Sequence, residues 1–288
     1  MSDKPQLGII GGSGVYAMPG LKNITEKKVV TPFGEPSSPV VIGTLAGRRV
    51  AFIARHGIGH TIPPTLVNYR ANIYALKKLG VRFVAAVSAC GSLREDYSPG
   101  HVVIPTQLVD STSQRSRSFF DEKGLVAHVG VADPFCNDFA NQLYKACKKA
   151  GGKVHLGGTY ITIEGPRFST RAESNQYRSS GHSIIGMTTS PEAFLAREAE
   201  LCYAVMAHVT DYDVWHEEPV SVDMVMSTMK KNTELAQEAV RLLAANLDFK
   251  QDCDCHQALA NALLTNRKKI PKPVRKKLGI LVDKYLPK

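Results

Sequence analysis

The segment from residue 186 to residue 215 constrains the fold of this chain most, because it contains a strand too apolar to face water on either side. Residues 202–209 read CYAVMAHV, a composition typical of a strand buried on both faces of a sheet. This strand runs directly into a polar stretch that contains Asp211 and Asp213. Two carboxylates at the end of a buried strand lose hydration unless something binds them. The sequence therefore predicts a central strand whose carboxyl end forms the floor of a functional site.

Helices are predicted on both sides of this strand. Before it, Ser190 can cap a helix and Pro191 suits the first helical position, where no N–H is needed. After it, Ser221 is a candidate cap for a long helix that reaches about residue 247. The apolar face of that helix has helical spacing, for which core packing is the default expectation, and it begins with Val222, Val225, Met226 and Met229.

The rest of the chain alternates apolar strands with helical stretches, which indicates an α/β fold. Further strands are predicted at residues 7–10, 39–44, 48–54, 83–87, 101–110 and 159–163. Further helices are predicted at residues 65–79, about 135–150 and 171–180, with two short ones near the C-terminus broken by Pro271 and Pro273.

The composition is ordinary for a soluble globular enzyme, with 288 residues of which 43% are hydrophobic and 22% charged. No apolar run approaches the roughly 20 residues that a membrane span needs. The first residues lack the apolar segment of a signal peptide, so we expect a cytoplasmic protein with no membrane partner.

The net charge of +10 is concentrated near the C-terminus. Residues 250–288 contain ten lysines and arginines against three aspartates, whereas the preceding part is close to neutral. A basic tail can bind nucleic acid or an acidic partner surface, but such a run is more commonly a solvated helix face. We expect no nucleic-acid partner and keep a nucleic-acid-binding module as an alternative.

Residues 12–17, GSGVYA, formally match the G-x-G-x-x-[GA] fingerprint of dinucleotide-binding proteins. Pro19-Gly20 interrupts the helix that should follow, and Thr31-Pro32 stands where the ribose-binding acid is expected. A nicotinamide- or flavin-dependent oxidoreductase is therefore not expected. The glycines still let backbone N–H groups and the Ser13 hydroxyl approach an anion closely.

Six cysteines lie at positions 90, 136, 147, 202, 253 and 255. Cys253 and Cys255 form a C-x-C pair with no second pair nearby in sequence, so the spacing is not that of a zinc site. We expect structural thiols and no metal, with disulfides to the tail as the alternative.

Polar residues at the strand ends suit two different ligand groups. The first set offers hydroxyls and a guanidinium, which suit phosphate together with backbone N–H groups. This set comprises Ser13, Arg55, Ser88 and Thr188. Asp211 and Asp213 cannot belong to the same anion site and must face N–H groups or basic nitrogens. Because ligands bind beyond the carboxyl ends of strands in open α/β sheets, the two sets together predict nucleoside phosphorolysis.

Seven motifs lie in order along about residues 7–245. They are GIIGGSG (8–14), ARHG (54–57), NYRANIYALK (68–77), SACGSLRE (88–95), ITIEGPRFSTRAE (161–173), MTTSPE (187–192) and TDYDVW with VSVD (210–223). These motifs resemble those of the trimeric purine nucleoside phosphorylases, in the methylthioadenosine phosphorylase branch of that family. The resemblance implies a mixed, partly closed central β-sheet flanked by helices, and a homotrimer or a dimer of trimers. It further implies no metal or organic cofactor, a catalytic domain at residues 1–248 and a basic helical extension at residues 249–288.

The resemblance also implies roles for individual residues. Phosphate would be bound by Ser13, Arg55, His56, Ser88, Ala89 and Thr188. The ribose and purine would be contacted by Met187, Phe168, Ser169, Asp211 and Asp213, the two acids lying at N7 and the exocyclic amine. The 5′ group would be bound by Val222 and Val225, with His128 reaching in from a neighbouring subunit. An apolar wall there favours a methylthio group over a hydroxyl.

Asp211 is the predicted catalytic residue. Cleavage of the glycosidic bond leaves negative charge on the purine, and a carboxylic acid at N7 neutralises that charge only if it carries a proton. We therefore expect burial and the neighbouring Asp213 to raise the pKa of Asp211. Two acids favour adenine, because 6-oxopurine enzymes of the family typically have Asn in place of the first one. The expected reaction is phosphorolysis of S-methyl-5′-thioadenosine to adenine and 5-methylthioribose 1-phosphate.

Within this class the alternative is a broader purine nucleoside phosphorylase that acts on adenosine, inosine or methylthioinosine. A hydrolytic nucleosidase is less expected, because a phosphate site would serve no purpose in hydrolysis. The resemblance further implies that the C-x-C extension packs on the body, with Cys136 and Cys202 as candidate disulfide partners of each other or of that pair.

Overall fold

The computed structural model describes residues 4–12, 18–216, 221–250 and 253–286, apart from the side chains of Met229 and Lys231. Within these segments one mixed sheet contains eleven strands. They are β1 (Leu7–Gly11), β2 (Lys22–Lys27), β3 (Val40–Leu45), β4 (Arg48–Ala54), β5 (Phe83–Ser92), β6 (Val102–Ile104), β7 (Gln107–Ser111), β8 (Val154–Leu156), β9 (Thr159–Ile163), β10 (Ile184–Gly186) and β11 (Cys202–Asp211). The α-helices are α1 (Tyr69–Leu79), α2 (Asn137–Lys149), α3 (Arg171–Ser179), α4 (Thr189–Glu198), α5 (Val222–Asn246) and α6 (Lys272–Leu278).

Strand β5 is the centre of the sheet. It pairs in parallel with β1 on one side and β11 on the other, and its last residues pair antiparallel with β10. Strands β4, β3 and β2 continue the sheet beyond β1, while β6 and β8 continue it beyond β11 and β9 and β7 beyond β10. The mixed α/β class is confirmed. Among the described strands the sheet branches at β5 and stays open, so the partial closure that the resemblance implied is not seen.

Helices cover both faces of this sheet, and each face has its own apolar core. One core contains Ile73 of α1 and Leu195 of α4, and the other contains Phe139 of α2 and Leu243 of α5. All ten residues of β11 are buried, and its successive side chains alternate between the two cores. The prediction of a strand buried on both faces is therefore confirmed.

Several element boundaries differ from those predicted. Segment 101–110 forms two strands, β6 and β7, because Pro105 lies between them and has no N–H for the ladder. Helix α1 begins at Tyr69 rather than at residue 65, since the Asn68 side chain caps it by accepting a hydrogen bond from the N–H of Ala71 at 3.1 Å. Strands β2, β8 and β10 were not predicted, because β2 is exposed throughout and the other two have three residues each.

The two predicted helix caps behave differently. The Ser221 hydroxyl caps α5 by accepting a hydrogen bond from the N–H of Met224 at 3.2 Å. The Ser190 hydroxyl is buried and caps nothing among the described residues. Instead, the Ser190 N–H donates to the Thr162 hydroxyl at 3.1 Å, and its carbonyl accepts from Arg115 at 2.8 Å. Ser190 thus ties the start of α4 to the sheet.

The first turns of α5 are not packed in a core, contrary to the expectation for its apolar face. Val222 and Met226 are 65% and 63% exposed, and Val225 is half-buried. Core packing begins further along the helix, where Ala236, Ala239, Val240 and Leu243 are buried. The single chain therefore leaves an apolar surface at the start of α5.

The C-terminal extension packs against the body on both faces. Leu278 and Val282 join one core and Cys255 joins the other. Pro271 caps α6 and Pro273 lies in its first turn, so the two prolines do not separate two helices as predicted. The described part of the extension otherwise contains short 3-10 turns at residues 254–257, 267–269 and 279–281.

None of the described helices is both long enough and apolar enough to cross a membrane.

Candidate active site

Polar side chains from several strands meet at one edge of the sheet. Strands β1, β4, β5 and β11 are mutually parallel, so their carboxyl ends lie at the same edge. Strand β10 runs antiparallel to β5 and returns along its end. The chain after β10 therefore comes back beside Ser88, and the hydroxyls of Ser88 and Thr188 are 3.3 Å apart. The structure thus brings together two residues that lie 100 positions apart in sequence.

A buried tyrosine completes this group of hydroxyls. The Tyr160 hydroxyl is 3.4 Å from the Ser88 hydroxyl, and burial raises the pKa of Tyr160 to about 12, so it stays neutral. A Cβ at Gly186 would lie 1.9 Å from the same hydroxyl, so only glycine fits there. Sequence reasoning missed Tyr160, because an aromatic residue inside a strand gives no sign that its hydroxyl faces a site.

Arg55 lies at the same edge but is already engaged by the protein. Its guanidinium donates to both carboxylate oxygens of Glu192 at 2.9 and 3.0 Å, and to the carbonyls of Val87 and Ile10. Burial alone would lower the pKa of Arg55, but the Glu192 carboxylate raises it. Four of the five guanidinium N–H groups are thus used by described residues, and the second N–H on Nη1 has no partner among them. The Glu192 carboxylate therefore binds two of the Arg55 N–H groups that were predicted to bind phosphate.

His56 follows Arg55 directly and is neutral at pH 7. Its Nδ1 lies 2.9 Å from the carbonyl of Ile62, which fixes Nδ1 as the protonated nitrogen, and its ring stacks on that of His60. Burial and the positive charge of Arg55 lower the pKa of His56 to about 4. Its Nε2 therefore offers a lone pair, which can accept a hydrogen bond from a protonated phosphate oxygen.

Asp211 is buried at the end of β11, as predicted. One carboxylate oxygen accepts the N–H of Asp213 and the other the hydroxyl of Thr210, both at 2.7 Å. Burial raises the pKa of Asp211, and the charge of Asp213 adds to this effect, although the two hydrogen bonds oppose it. A Cβ at Gly91 would lie 2.9 Å from Asp211 Oδ1, so the glycine on β5 makes room for the acid.

Asp213 presents a carboxylate oxygen without a hydrogen-bond partner. Its Oδ2 is buried, and so are the hydroxyls of Ser169 and Ser174, none of which makes a hydrogen bond of normal geometry within the described segments. Burial raises the pKa of Asp213, while the nearby hydroxyls of Ser174 and Ser169 lower it. Buried polar groups are nearly always paired, so this cluster indicates a polar ligand. Ser169 was predicted here, whereas Ser174 on α3 was missed.

Apolar side chains adjoin the chain segment that carries Thr188. Met187 packs with Trp215 against the small core of Ile161, Ile163 and Ile185. A Cβ at Gly165 would lie 2.6 Å from the Met187 sulfur, so the chain passes very close to this side chain. Phe168 is 38% exposed at the rim.

The buried side chain of Arg115 holds the surrounding loops in place. It donates to the carbonyls of Met187 and Ser190 at 2.7 and 2.8 Å and to the Glu164 carboxylate at 2.8 Å. Burial opposes ionisation of Glu164, but hydrogen bonds from Ser113, Arg115 and other donors lower its pKa to about 2. Sequence reasoning missed this ion pair, because its members lie on two loops far apart in the chain.

The remaining predicted residues are not part of the contacts described above. Ser13 falls outside the described residues. Val222 and Val225 are on the uncovered first turn of α5. His128 is exposed, and its backbone N–H donates to the carbonyl of Ala262 in the extension at 2.9 Å. Ala89 is half-buried beside Ser88.

Comparisons with known proteins identify a family and several similar proteins. Residues 6–245 match the family described as Phosphorylase superfamily. An S-methyl-5′-thioadenosine phosphorylase of Koribacter versatilis is 51% identical over 282 residues, which cover 97% of this chain and 96% of that protein. Among the solved structures that are similar to this chain are two methylthioadenosine phosphorylases. A methylthioadenosine phosphorylase from an antarctic soil metagenomic library has a TM-score of 0.93 at 45% identity, covering 97% of this chain and 99% of that chain.

The second solved structure is a Schistosoma mansoni methylthioadenosine phosphorylase in complex with adenine. It has a TM-score of 0.80 at 40% identity, covering 84% of this chain and 91% of that chain.

Proposed function

The chain belongs to the phosphorylase superfamily, and we propose that it cleaves S-methyl-5′-thioadenosine with inorganic phosphate to adenine and 5-methylthioribose 1-phosphate. The observation that carries this proposal is the buried acid pair, where an Asp213 oxygen and two nearby serine hydroxyls make no hydrogen bond of normal geometry among the described residues. Such a cluster suits the edge of a purine, which presents both donors and acceptors. The names of the similar proteins support the same substrate.

Asp213 and Asp211 divide the recognition of the base between them. The buried Asp213 Oδ2 can accept a hydrogen bond from the exocyclic amine of adenine. Asp211 then faces N7, which is an acceptor in the nucleoside and needs a proton donor. The raised pKa of Asp211 favours the neutral acid that can donate it. A 6-oxopurine presents a carbonyl in place of the amine and would meet an acceptor at Asp213.

The reaction follows from where charge develops. As the bond between C1′ and N9 breaks, the electron pair moves onto the purine and the sugar becomes oxocarbenium-like. Asp211 transfers its proton to N7, which neutralises the leaving adenine. A phosphate oxygen forms the new bond to C1′ from the opposite side, oriented by the site that binds it. The remaining charge on Asp211 is relieved when the acid regains a proton from solvent.

The spacing of the two ends suits a nucleoside. Ser88 and Gly91 are three residues apart on β5, which corresponds to roughly 10 Å along an extended strand. The Ser88 and Thr188 hydroxyls lie at one end, and Gly91 contacts the acid pair at the other. A ribose fits between them, beside Met187. The neutral hydroxyls, the one remaining Arg55 N–H and His56 Nε2 would surround the phosphate oxygens, with Ser13 and Ala89 beside them.

We further propose that the reaction needs no metal or organic cofactor, that the chains form trimers or pairs of trimers, and that the enzyme acts in the cytoplasm. The hydroxyls and guanidinium at the sheet edge support the first point, because they suit phosphate without an ion. The uncovered apolar start of α5 supports the second, since a neighbouring chain carrying His128 would cover it and complete the 5′ pocket.

A panel of nucleosides tests the substrate. Methylthioadenosine, adenosine, inosine and methylthioinosine would be incubated with the enzyme and phosphate, and the released base measured. We expect the highest kcat/KM for methylthioadenosine and no release without phosphate. Comparable values for all four would instead identify a broader purine nucleoside phosphorylase, and turnover without phosphate would identify a hydrolase.

A further inference from the structure

Four cysteines that are distant in sequence meet at one point on the body. Their sulfurs all lie within 4.8 Å of one another, and those of Cys136 and Cys253 are 3.5 Å apart. Cys136 precedes α2, Cys202 begins β11, and the other two form the C-x-C pair of the extension. Within the described segments this is the one cluster whose side chains could together hold a metal ion.

We propose that Cys136, Cys202, Cys253 and Cys255 bind a structural Zn²⁺ ion that joins the C-terminal extension to the body. Tetrahedral zinc with Zn–S bonds of about 2.3 Å has sulfur–sulfur separations of about 3.8 Å. The observed separations span this value, so the four sulfurs can close around the ion with small side-chain movements. Four soft thiolates in a tetrahedron select zinc among the common divalent ions.

Neighbouring groups are arranged to stabilise thiolates. Arg197 donates to Cys255 Sγ at 3.3 Å, and the N–H of Cys255 lies 3.4 Å from Cys253 Sγ. Cys136 lies at the N-terminus of α2, where negative charge is favoured. Hydrogen bonds and positive charge of this kind stabilise zinc thiolates, since the filled site carries a net negative charge.

Metal binding also needs a path for the protons that the thiols lose. His256 Nε2 is 3.6 Å from Cys202 Sγ, while its Nδ1 lies 3.1 Å from the carbonyl of Glu200 and therefore carries the ring proton. The lone pair on Nε2 thus faces the Cys202 thiol, and the protons that the thiols lose on metal binding pass to solvent. A cleft of about 520 Å³, lined in part by Cys136, Cys253 and Cys255, gives the ion access. No oxidant or reductant is required.

This site could not be recognised from the sequence, because its second pair of ligands comes from two separate elements. A C-x-C pair alone is two ligands short, and Cys136 and Cys202 are 66 positions apart. The other two cysteines are unsuited to metal binding. Burial raises the pKa of Cys90, and it raises that of Cys147 to about 12. Cys147 therefore provides a matched control.

Metal content of the full-length protein, purified without chelators, tests the proposal. We expect about one zinc per chain by elemental analysis, and a loss of at least about fivefold in Cys253→Ser and in Cys136→Ser. Cys147→Ser should retain the zinc. Less than about one-tenth of an ion per chain in the unsubstituted protein, or iron in its place, would overturn the proposal.

Two further measurements keep the test decisive if a variant folds poorly. Replacement of the ion by Co²⁺ in the unsubstituted protein should give the visible and near-ultraviolet absorption of tetrahedral cobalt thiolate. Thiol titration in denaturant with chelator, but without reductant, should count all six cysteines. A lower count that rises to six after reduction would show disulfides in the cluster and rule out the zinc site.

Discussion

At the scale of single residues, the acid pair after β11 links the stability of the fold to the proposed chemistry. Asp211 and Asp213 are both 4% exposed, and burial raises the pKa of each. A buried carboxylate lowers stability, whereas a neutral carboxylic acid in the same place can donate a proton to a leaving base. The protonated form of such a buried acid therefore favours both the stability of the fold and proton donation to the leaving base.

Replacement of Asp211 by Asn should reduce kcat/KM for methylthioadenosine by about 100- to 10,000-fold, the usual contribution of a general acid. An amide cannot protonate N7, although it keeps the shape of the side chain. The loss should be smaller for methylthioinosine, because the 6-oxopurine enzymes typically have Asn at this position. Base release from the two nucleosides measures both effects.

The exposed carboxylate of Asp96, which pairs with Arg94 at 2.8 Å, is the control for this variant. Asp96→Asn should leave both rates within about twofold of the unsubstituted enzyme, as is usual for surface changes. Full activity of Asp211→Asn on methylthioadenosine would show that the proton comes from elsewhere.

Asp211→Asn should also stabilise the fold at neutral pH. Because the pKa of Asp211 is raised, the folded state holds this proton more tightly than the unfolded chain does. The resulting stabilisation is complete below the ordinary pKa of aspartate and is lost as the pH rises through the raised value. Asp211→Asn should therefore unfold at a higher temperature than the unsubstituted protein at pH 7, by an increment of about 1 kcal/mol. Thermal melts at pH 7 and pH 4 would measure this, and the difference should shrink at pH 4.

Asp96→Asn should show no such gain, because hydrogen bonds from Arg94 lower the pKa of Asp96. A melting temperature for Asp211→Asn that is lower than that of the unsubstituted protein at pH 7 would mean that the ionised carboxylate helps to hold the site together.

The burial of a single residue could be predicted where the residue directly follows a clearly apolar segment. Asp211 and Asp213 come directly after a strand of unmistakable composition, so their burial could be foreseen. Glu192 could not be identified as the partner of Arg55, because the two are 137 positions apart. Pairings of this kind are set by tertiary packing, which leaves no local trace in the sequence.

At the scale of elements, the pairing of β5 with β10 and β11 positions the reacting groups. Gly91 on β5 faces the acid pair from one side and Ile185 of β10 from the other. A methyl group at this position would lie 2.9 Å from Asp211 Oδ1 and 3.1 Å from the Ile185 side chain. The close approach of three strands thus depends on a residue without a side chain.

Gly91→Ala should displace Asp211, lower kcat/KM for methylthioadenosine by at least about tenfold and destabilise the fold by about 1 to 3 kcal/mol. Steady-state kinetics and denaturant unfolding would measure the two effects. Gly130→Ala is the matched control, since its Cβ would meet nothing within 4 Å. Unchanged kinetics in Gly91→Ala would argue that Asp211 does not lie beside the reacting base.

Long apolar elements were predictable, and short or exposed ones were not. Strand β11 is a continuous apolar run and helix α5 is a long segment with helical spacing, so both could be recognised from the sequence. Strand β10 has only three residues, and it exists because β5 and β9 offer hydrogen bonds on both sides. The return of the chain at Gly186, which sets Thr188 beside Ser88, is therefore a property of the sheet as a whole.

At the scale of the whole molecule, the basic extension docks on acidic groups of the body. Lys277 pairs with Glu122, and Tyr285 donates to the buried Glu200. The extension also pairs with the segment that precedes and includes His128, through a bridge between Ala127 and Leu263. Part of the positive charge thus serves the fold, and the extension fixes the backbone beside His128. The sequence could locate this charge but could not assign it a partner.

The exposed His128 and the uncovered start of α5 support a site shared between chains. A complementation experiment tests this, because Asp211 and His128 would then come from different subunits at each site. Neither Asp211→Asn nor His128→Ala alone should show full activity.

Co-expression of the two variants should nevertheless restore activity. If equal amounts of the two variants assemble at random into closed rings, about a quarter of the sites would combine an intact Asp211 with an intact His128 from the neighbouring subunit. Size-exclusion chromatography would confirm that the mixed chains assemble, and the specific activity should approach about one-quarter of that of the unsubstituted enzyme. If both residues served the same site from one chain, every site in the mixture would lack one of them. Activity no greater than the average of the two separate variants would therefore refute the shared site.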